Sequence, residues 1–223
     1  MATVITVQGQ HTARYAAERG TAHLAVSFDG PDREEVVASA TSTARQITEH
    51  IASLHDASSG PVVSWSSDRV RVWSDRPWSS DGAQLPPVHH AQIGITAVFS
   101  EFETLADVLG LVTVMPGVQL GGIEWELTRS TRVSALAEVR SRAVADATDK
   151  ARVYAQAVGL GTVRAVAIAD PGMLGTGSPE PLAPRMELMM ARGGASDVTG
   201  PDFSFAPEQI EVAAAVDARF EAN

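Results

Sequence analysis

The sequence predicts an α+β fold, in which about three helices cover one face of a largely antiparallel sheet. Two observations predict this class. Apolar and polar residues alternate in several short runs, as they do in strands with one wet face. Between these runs, apolar residues recur at steps of three and four, as in amphipathic helices. The elements follow the order β-β-α-β-β-α-β-α-β-β, which is typical of helices packed on one side of an antiparallel sheet.

The first half of the chain predicts a helix set among strands. Residues 21–28 alternate as a strand does, and a helix follows over about residues 31–56. Asp29 or Asp32 can cap the first turn of this helix. Its apolar face comprises Val36, Ala40, Ala44, Ile47, Ile51 and Leu54. The next predicted strands are residues 62–73 and 91–99, joined by a polar loop that contains proline.

The second half predicts two more helices. One runs from about Ser100 to Thr113, and the other contains the alanine-rich stretch 135–161. The buried stripe predicted for the latter is Leu136, Val139, Ala143, Ala147, Ala151, Tyr154 and Val158. Gly159 is placed to end this helix in the left-handed conformation. The strands around it are residues 119–128, 162–170 and 210–222, and the last of these has the most regular alternation in the chain.

Lys150, the only lysine in the chain, lies in this third helix. Glu138, Arg142, Asp146 and Lys150 follow each other at steps of four with alternating sign. Such a charged ladder predicts a solvated face rather than a catalytic lysine, which would need burial to lower its pKa. Lys150→Ala is then expected to cost less than about 1 kcal/mol.

Composition excludes several classes of protein. Hydrophobic residues make up 44% and charged residues 20%, without an apolar run long enough to span a membrane. The net charge of −10 argues against a nucleic-acid partner. The chain has no cysteine, which excludes disulfides and thiolate chemistry. Its first residues lack the pattern of a secretion signal, so we expect a cytoplasmic location.

No motif in the sequence carries recognisable chemistry, so we predict no catalytic residue, cofactor or metal site. Glu124 and Glu126 share one side of a predicted strand, as an acid/base pair would, but the same spacing occurs in any strand with a wet face. His89 and His90 are adjacent and point opposite ways in an extended chain. Trp73, at the end of the predicted strand 62–73, and Trp78, in the polar loop that follows it, are candidates for exposed aromatic side chains.

The long stretch 171–204 is rich in proline, glycine and methionine and interrupts the predicted strands. Leu188, Met189 and Met190 place three consecutive apolar side chains in it. Because at least one of them must face outward, we predict an oligomer contact over residues 185–192, through a sheet edge or a second protomer.

Four segments resemble the SIMPL domain family, which is named after a signalling molecule associated with a mouse pelle-like kinase. They are "ITVQGQ", "ERGTAHLAVSF", "RAVADATDKARVYAQAVGLG" and the closing "IEVAAAVDARFEA". Asp149, Lys150, Ala151 and Gly159 match the aspartate, lysine and terminal glycine that recur in the family's alanine-rich helix. The resemblance implies a single domain over residues 1–223, with 171–204 as an insertion.

The resemblance also implies a non-enzymatic bacterial protein that is linked to stress physiology and assembles into large or ring-like homo-oligomers. Bacterial relatives are often exported with a signal peptide, which this sequence does not show. A second hypothesis remains open from the residues alone. It is a small-molecule binding protein or a hydrolase that uses Glu124, Glu126 or His89.

Overall fold

A computed structural model describes residues 2–174 and 206–223 of the chain. The strands in this part are β1 (Thr3–Tyr15), β2 (Arg19–Gly30), β3 (Val62–Ser67), β4 (Arg71–Asp75), β5 (Val88–Phe99), β6 (Val118–Glu126), β7 (Val163–Ala169) and β8 (Ile210–Ala222). The helices are α1 (Arg33–Ser53), α2 (Phe102–Val112) and α3 (Arg129–Ala157). All pairings between these strands are antiparallel. The predicted α+β class and order of elements are confirmed.

One predicted strand is two in the structure. The run 62–73 forms β3 and β4, which pair in turn with β5. Between them the N–H of Asp68 donates to the carbonyl oxygen of Gly94 at 2.8 Å, and residues 68–70 leave the ladder. A β-bulge of this kind does not change the composition of a run, so the alternation in the sequence did not reveal it.

The described strands form two sheets instead of the single predicted one, and each sheet belongs to its own compact unit. Residues 17–126 make the unit that contains a five-stranded sheet, with the order β3-β5-β2-β6 and β4 also paired to β5. Residues 2–16, 127–174 and 209–223 make the unit that contains a three-stranded sheet, with the order β1-β8-β7. Alternation identifies a strand but not its partner, which is why the two sheets merged in the prediction.

The five-stranded unit follows its sequence pattern closely. Asp32 caps α1, because its carboxylate accepts the N–H groups of Glu34 and Glu35 at 2.8 and 3.0 Å. The predicted apolar face of α1 is buried except for Leu54, which is half-buried just beyond the helix. In α2, Leu105, Val108, Leu109 and Val112 are buried. These helices pack on the apolar face of β2 and β5, which form one core with them.

The three-stranded unit packs α3 along β1 and β8. The buried residues of α3 recur strictly every four positions, at Ala135, Val139, Ala143, Ala147, Ala151 and Ala155. The prediction that Tyr154 and Val158 are buried is wrong, because they are 55% and 67% exposed. The prediction assigned the large side chains Tyr154 and Val158 to the buried face. In the structure the buried face is an i±4 row of mostly alanine residues, whose small side chains let the helix approach the sheet closely.

Gly159 ends α3 as predicted, with a φ of +81°. Its N–H donates to the carbonyl oxygen of Gln156 at 3.0 Å, and the N–H of Leu160 donates to that of Ala155 at 2.9 Å. This pair of bonds is the Schellman arrangement, which satisfies carbonyl groups that the end of a helix leaves without partners.

Candidate functional site

Helix α3, which contains the alanine-rich stretch, packs on β1 and β8 of the three-stranded sheet. Gly9 of β1 lies directly under α3. A Cβ atom at Gly9 would lie 2.6 Å from the amide nitrogen of Ala147 and 2.7 Å from its Cβ, and closer still to the carbonyl oxygen of Ala143. Only glycine therefore fits at this position, and the small side chains of Ala143 and Ala147 allow the same close contact from the helix side.

Lys150 and Asp146 of α3 bind the outer edge of β1 on either side of Gly9. The ammonium group of Lys150 donates to the carbonyl oxygen of Gln8 at 3.0 Å and to the carboxylate of Asp146 at 2.7 Å. The same carboxylate oxygen accepts the backbone N–H of Gln10 at 2.9 Å. The bonds from Lys150 and from the Gln10 amide hold the pKa of Asp146 below its usual value. Two polar groups of an edge strand are thus satisfied by one ion pair.

The prediction that Lys150 lies on a purely solvated face is therefore wrong, although its pairing with Asp146 follows the predicted ladder. Its side chain is 38% exposed and joins the helix to the strand. We expect Lys150→Met, which keeps the alkyl stem, to lower the free energy of unfolding by about 1–2 kcal/mol. Urea unfolding followed by circular dichroism measures this change.

Arg152→Ala is the matched control, because Arg152 pairs with Asp149 in an exposed bridge on the same helix. Its removal should change stability by no more than about 0.5 kcal/mol. Equal effects of the two substitutions would contradict a special role for Lys150.

Strand β8 has an edge that no described strand occupies. It pairs with β1 along its whole length, from Ile210 to Ala222, but β7 pairs only with the part from Asp217 onward. Residues 210–216 therefore present an open edge on the β7 side, within the described part of the chain. The carbonyl group of Gln8 and the N–H group of Gln10 point away from β8, so each forms a non-hydrogen-bonded pair with its β8 partner. The partners, Asp217 and Ala215, therefore direct their own backbone groups away from β1. Extending this alternation along β8 identifies Glu211, Ala213 and Ala215 as the residues whose N–H and C=O groups line the open edge.

The other edges of this sheet are protected. The edge of β1 carries the Lys150 and Asp146 side chains, and the edge of β7 is short and is interrupted by a register shift between Ala165 and Ala167. Charged side chains and bulges are two of the ways in which natural sheets block their edges. The described residues after β7 form no backbone pairing with residues 210–216, and the N–H of Gly172 bonds the side chain of Asp217 instead. The open edge of β8 is thus unlike its neighbours.

The residues of the alternative hypothesis do not form one site. Glu124 lies opposite Thr21 of β2, whereas His89 lies opposite Gly30. Nine residues of a strand separate these positions, which is roughly 30 Å. Glu126 lies opposite Arg19, still further from His89. His89 instead lies 2.6 Å from the hydroxyl of Ser74, measured from Nδ1 to Oγ.

Sequence reasoning missed His23, which lies beside Glu124. Its Nε2 atom is 3.7 Å from Oε1 of Glu124 and has no hydrogen-bond partner among the described residues. Its Nδ1 atom lies 3.4 Å from Oγ1 of Thr96. The signal was the polar position of His23 in the strand 21–28, but the pairing with β5 and β6 that aligns the three side chains is not visible in a sequence.

The aromatic candidates are separated. Trp73 is on β4, where it is 39% exposed and its ring stacks on that of His90 with centroids 5.1 Å apart. Trp78 is exposed in the connection between β4 and β5. Adjacent His89 and His90 do point opposite ways, as predicted, since His90 bonds Asp75 at 2.8 Å while His89 faces Ser74. The predicted contact residues Leu188, Met189 and Met190 lie outside the described residues.

Within residues 2–174 and 206–223, no three histidine, aspartate or glutamate side chains converge as they do around a metal ion. No helix in the described part of the chain combines the length and the apolar character that crossing a membrane requires.

The structure is that of an α+β protein with two distinctive features, the close contact between Gly9 and α3 and the open edge of β8. The family model of SIMPL, described as a protein of unknown function (DUF541), matches residues 5–220. The chain therefore belongs to the SIMPL family, and the resemblance seen in its sequence is confirmed. A comparison with curated proteins finds no match.

Proposed function

We propose that this chain is a non-catalytic protein that assembles into homo-oligomers and acts as a scaffold or interaction protein. The observation that carries the proposal is the open edge of β8 at residues 210–216. An unpaired strand edge is a template for pairing with another chain, and strand addition to such an edge is a recurrent mode of protein association.

Exposed apolar side chains on α3 support the same proposal. Val153, Tyr154 and Val158 are all exposed near the C-terminal end of the helix. Contacts between subunits cover apolar and aromatic side chains of this kind. Together with residues 185–192, they would give an oligomer its apolar contact area.

The test is the native mass, measured by light scattering at micromolar concentration. We expect a multiple of the 23.5 kDa chain mass. Replacing Leu188, Met189 and Met190 together with serine should reduce the mass or lower the stability of the assembly, because residues 185–192 are proposed to lie in a contact. Met173→Ser is the matched control, since Met173 is exposed in the described part of the chain.

Two outcomes would count against these statements. A monomeric wild-type chain would contradict the homo-oligomer altogether. A triple variant with unchanged mass and stability would remove residues 185–192 from the contact and leave the rest of the proposal in place.

One observation favours the second hypothesis, that of a small-molecule site. Glu124, His23 and Thr96 lie in the order carboxylate, imidazole, hydroxyl, which is the order of groups that activates a nucleophile. Hydrolysis of a simple activated ester, lost in His23→Ala and retained in His89→Ala, would replace the non-catalytic proposal.

A further inference from the structure

The open edge of β8 has the length, spacing and charge pattern to pair with itself. We propose that two copies of the chain join residues 210–216 of β8 in an antiparallel ladder, with a two-fold axis at Ala213. This inference rests on the proposed homo-oligomer and names the contact that builds its basic dimer.

The register follows from the ends of the edge. The open part of β8 begins with the strand at Ile210 and stops at Val216, because Asp217 is already paired with Ala169 of β7. Ala213 is its midpoint, so a two-fold axis there places Ile210 opposite Val216 of the second copy. This register uses the whole open edge and leaves no overhang against β7.

The backbone groups match in this register. Glu211, Ala213 and Ala215 are the residues that direct N–H and C=O groups outward. In the two-fold ladder Ala213 faces Ala213, and Glu211 faces Ala215. Every outward-facing residue therefore meets another outward-facing residue, which is the condition for an uninterrupted antiparallel ladder.

The side chains also fit. Glu211 is the only charged residue of the open edge, and its carboxylate bonds Arg14 of β1 at 3.4 Å. Opposite it in the ladder stands Ala215, so no like charges face each other. A shift of the register by two residues toward β7 would place Glu211 opposite Asp217, which repels it and is already paired with β7.

Apart from the single charged residue Glu211, the edge carries none of the devices that block pairing. Residues 210–216 contain no lysine, proline or glycine, and their pairing with β1 has no register shift. On the α3 side, Leu136 packs against the cluster of Val212 and remains only partly buried. A second β8 strand beside Val212 would bring further apolar side chains, Ala214 and Val216, to this partly covered face.

The absence of native cysteine allows a direct test of the register. In the ladder the two Ala213 residues form a directly hydrogen-bonded pair, whose Cα atoms lie about 5.5 Å apart. That distance is within the range of a disulfide. Ala213→Cys should therefore give a covalent dimer on a non-reducing gel after oxidation with diamide, and the dimer should disappear with a reductant.

Ala215→Cys is the matched control on the same edge. The two residues 215 would be offset by four positions along the ladder, or about 14 Å, which no disulfide spans. We expect at least tenfold less covalent dimer than with Ala213→Cys. Equal yields from the two variants would overturn the register.

A second variant tests the β8–β8 contact without forming a covalent bond. Ala213→Pro removes an N–H that points away from β1, so the β1–β8 ladder should survive and the far-ultraviolet circular dichroism should stay that of the wild type. The concentration at which half of the chains are dimeric should rise at least tenfold. A folded Ala213→Pro variant that assembles like the wild type would overturn the inference.

The outcomes separate the two proposals. A monomeric wild-type chain would contradict the homo-oligomer and this inference together. An intact oligomer without an Ala213→Cys disulfide would overturn the β8 ladder alone. That result would mean that another contact, or another segment of the same chain, covers the edge.

Discussion

Replacing Gly9 with alanine is expected to lower the free energy of unfolding of the three-stranded unit by about 3 kcal/mol or more. Overpacking usually costs about 1–3 kcal/mol where side chains can move aside. Here the added methyl group would meet the backbone of α3, at the amide nitrogen of Ala147 and the carbonyl oxygen of Ala143. A helix backbone cannot rotate out of the way, so α3 must shift as a body or separate from β1.

Two spectroscopic probes together distinguish the unfolding of the two units. All four tryptophans lie in residues 17–126, so tryptophan fluorescence follows the five-stranded unit. Far-ultraviolet circular dichroism additionally follows α3, the longest helix, in the other unit. In a urea titration of Gly9→Ala, we expect the loss of helical signal to move to lower urea concentration than in the wild type.

Gly161→Ala is the control for the loss of a glycine. An added Cβ there would lie 3.8 Å from its nearest neighbour, the carbonyl oxygen of Asn223, which is an ordinary contact. We expect a change within about 0.5 kcal/mol. Because the obstruction at Gly9 is backbone, adding Ala147→Gly to Gly9→Ala should not restore stability. A full rescue by that pair would show that the contact is between side chains only.

The local signals in the sequence were sufficient for most elements. Asp32 was one of the two predicted caps at the start of α1, and Gly159 marked the end of α3, because caps act within one turn of the chain. The alternation of residues 210–222 likewise predicted β8. These features could be predicted because the residues that cause them are neighbours in sequence.

The candidate site could not be predicted in the same way, because its causes are distant in sequence. Lys150 is an ordinary rung of a charged ladder until β1 brings the carbonyl group of Gln8 to it. The burial of Ala143 and Ala147 is explained by Gly9, more than 130 positions away. The open edge of β8 depends on where β7 stops pairing, and no pattern within residues 210–222 marks that point.

Ala147→Leu tests the same contact from the helix side and should lower the free energy of unfolding by roughly 1–3 kcal/mol, toward the upper end of that range. Ala147 is fully buried, and its Cβ would touch any atom added to Gly9. A leucine would add three carbon atoms where the strand backbone lies, and the ion pair of Asp146 and Lys150 would have to move with the helix.

Ala145→Leu is the control for Ala147→Leu, because Ala145 is exposed in the middle of the same helix. Leucine and alanine are both good helix formers, so this change should alter stability by no more than about 0.5 kcal/mol. Equal loss of helical signal for the two variants in urea would mean that α3 tolerates bulk equally on both faces. That result would contradict the close approach of α3 to Gly9, on which the fit between helix and strand depends.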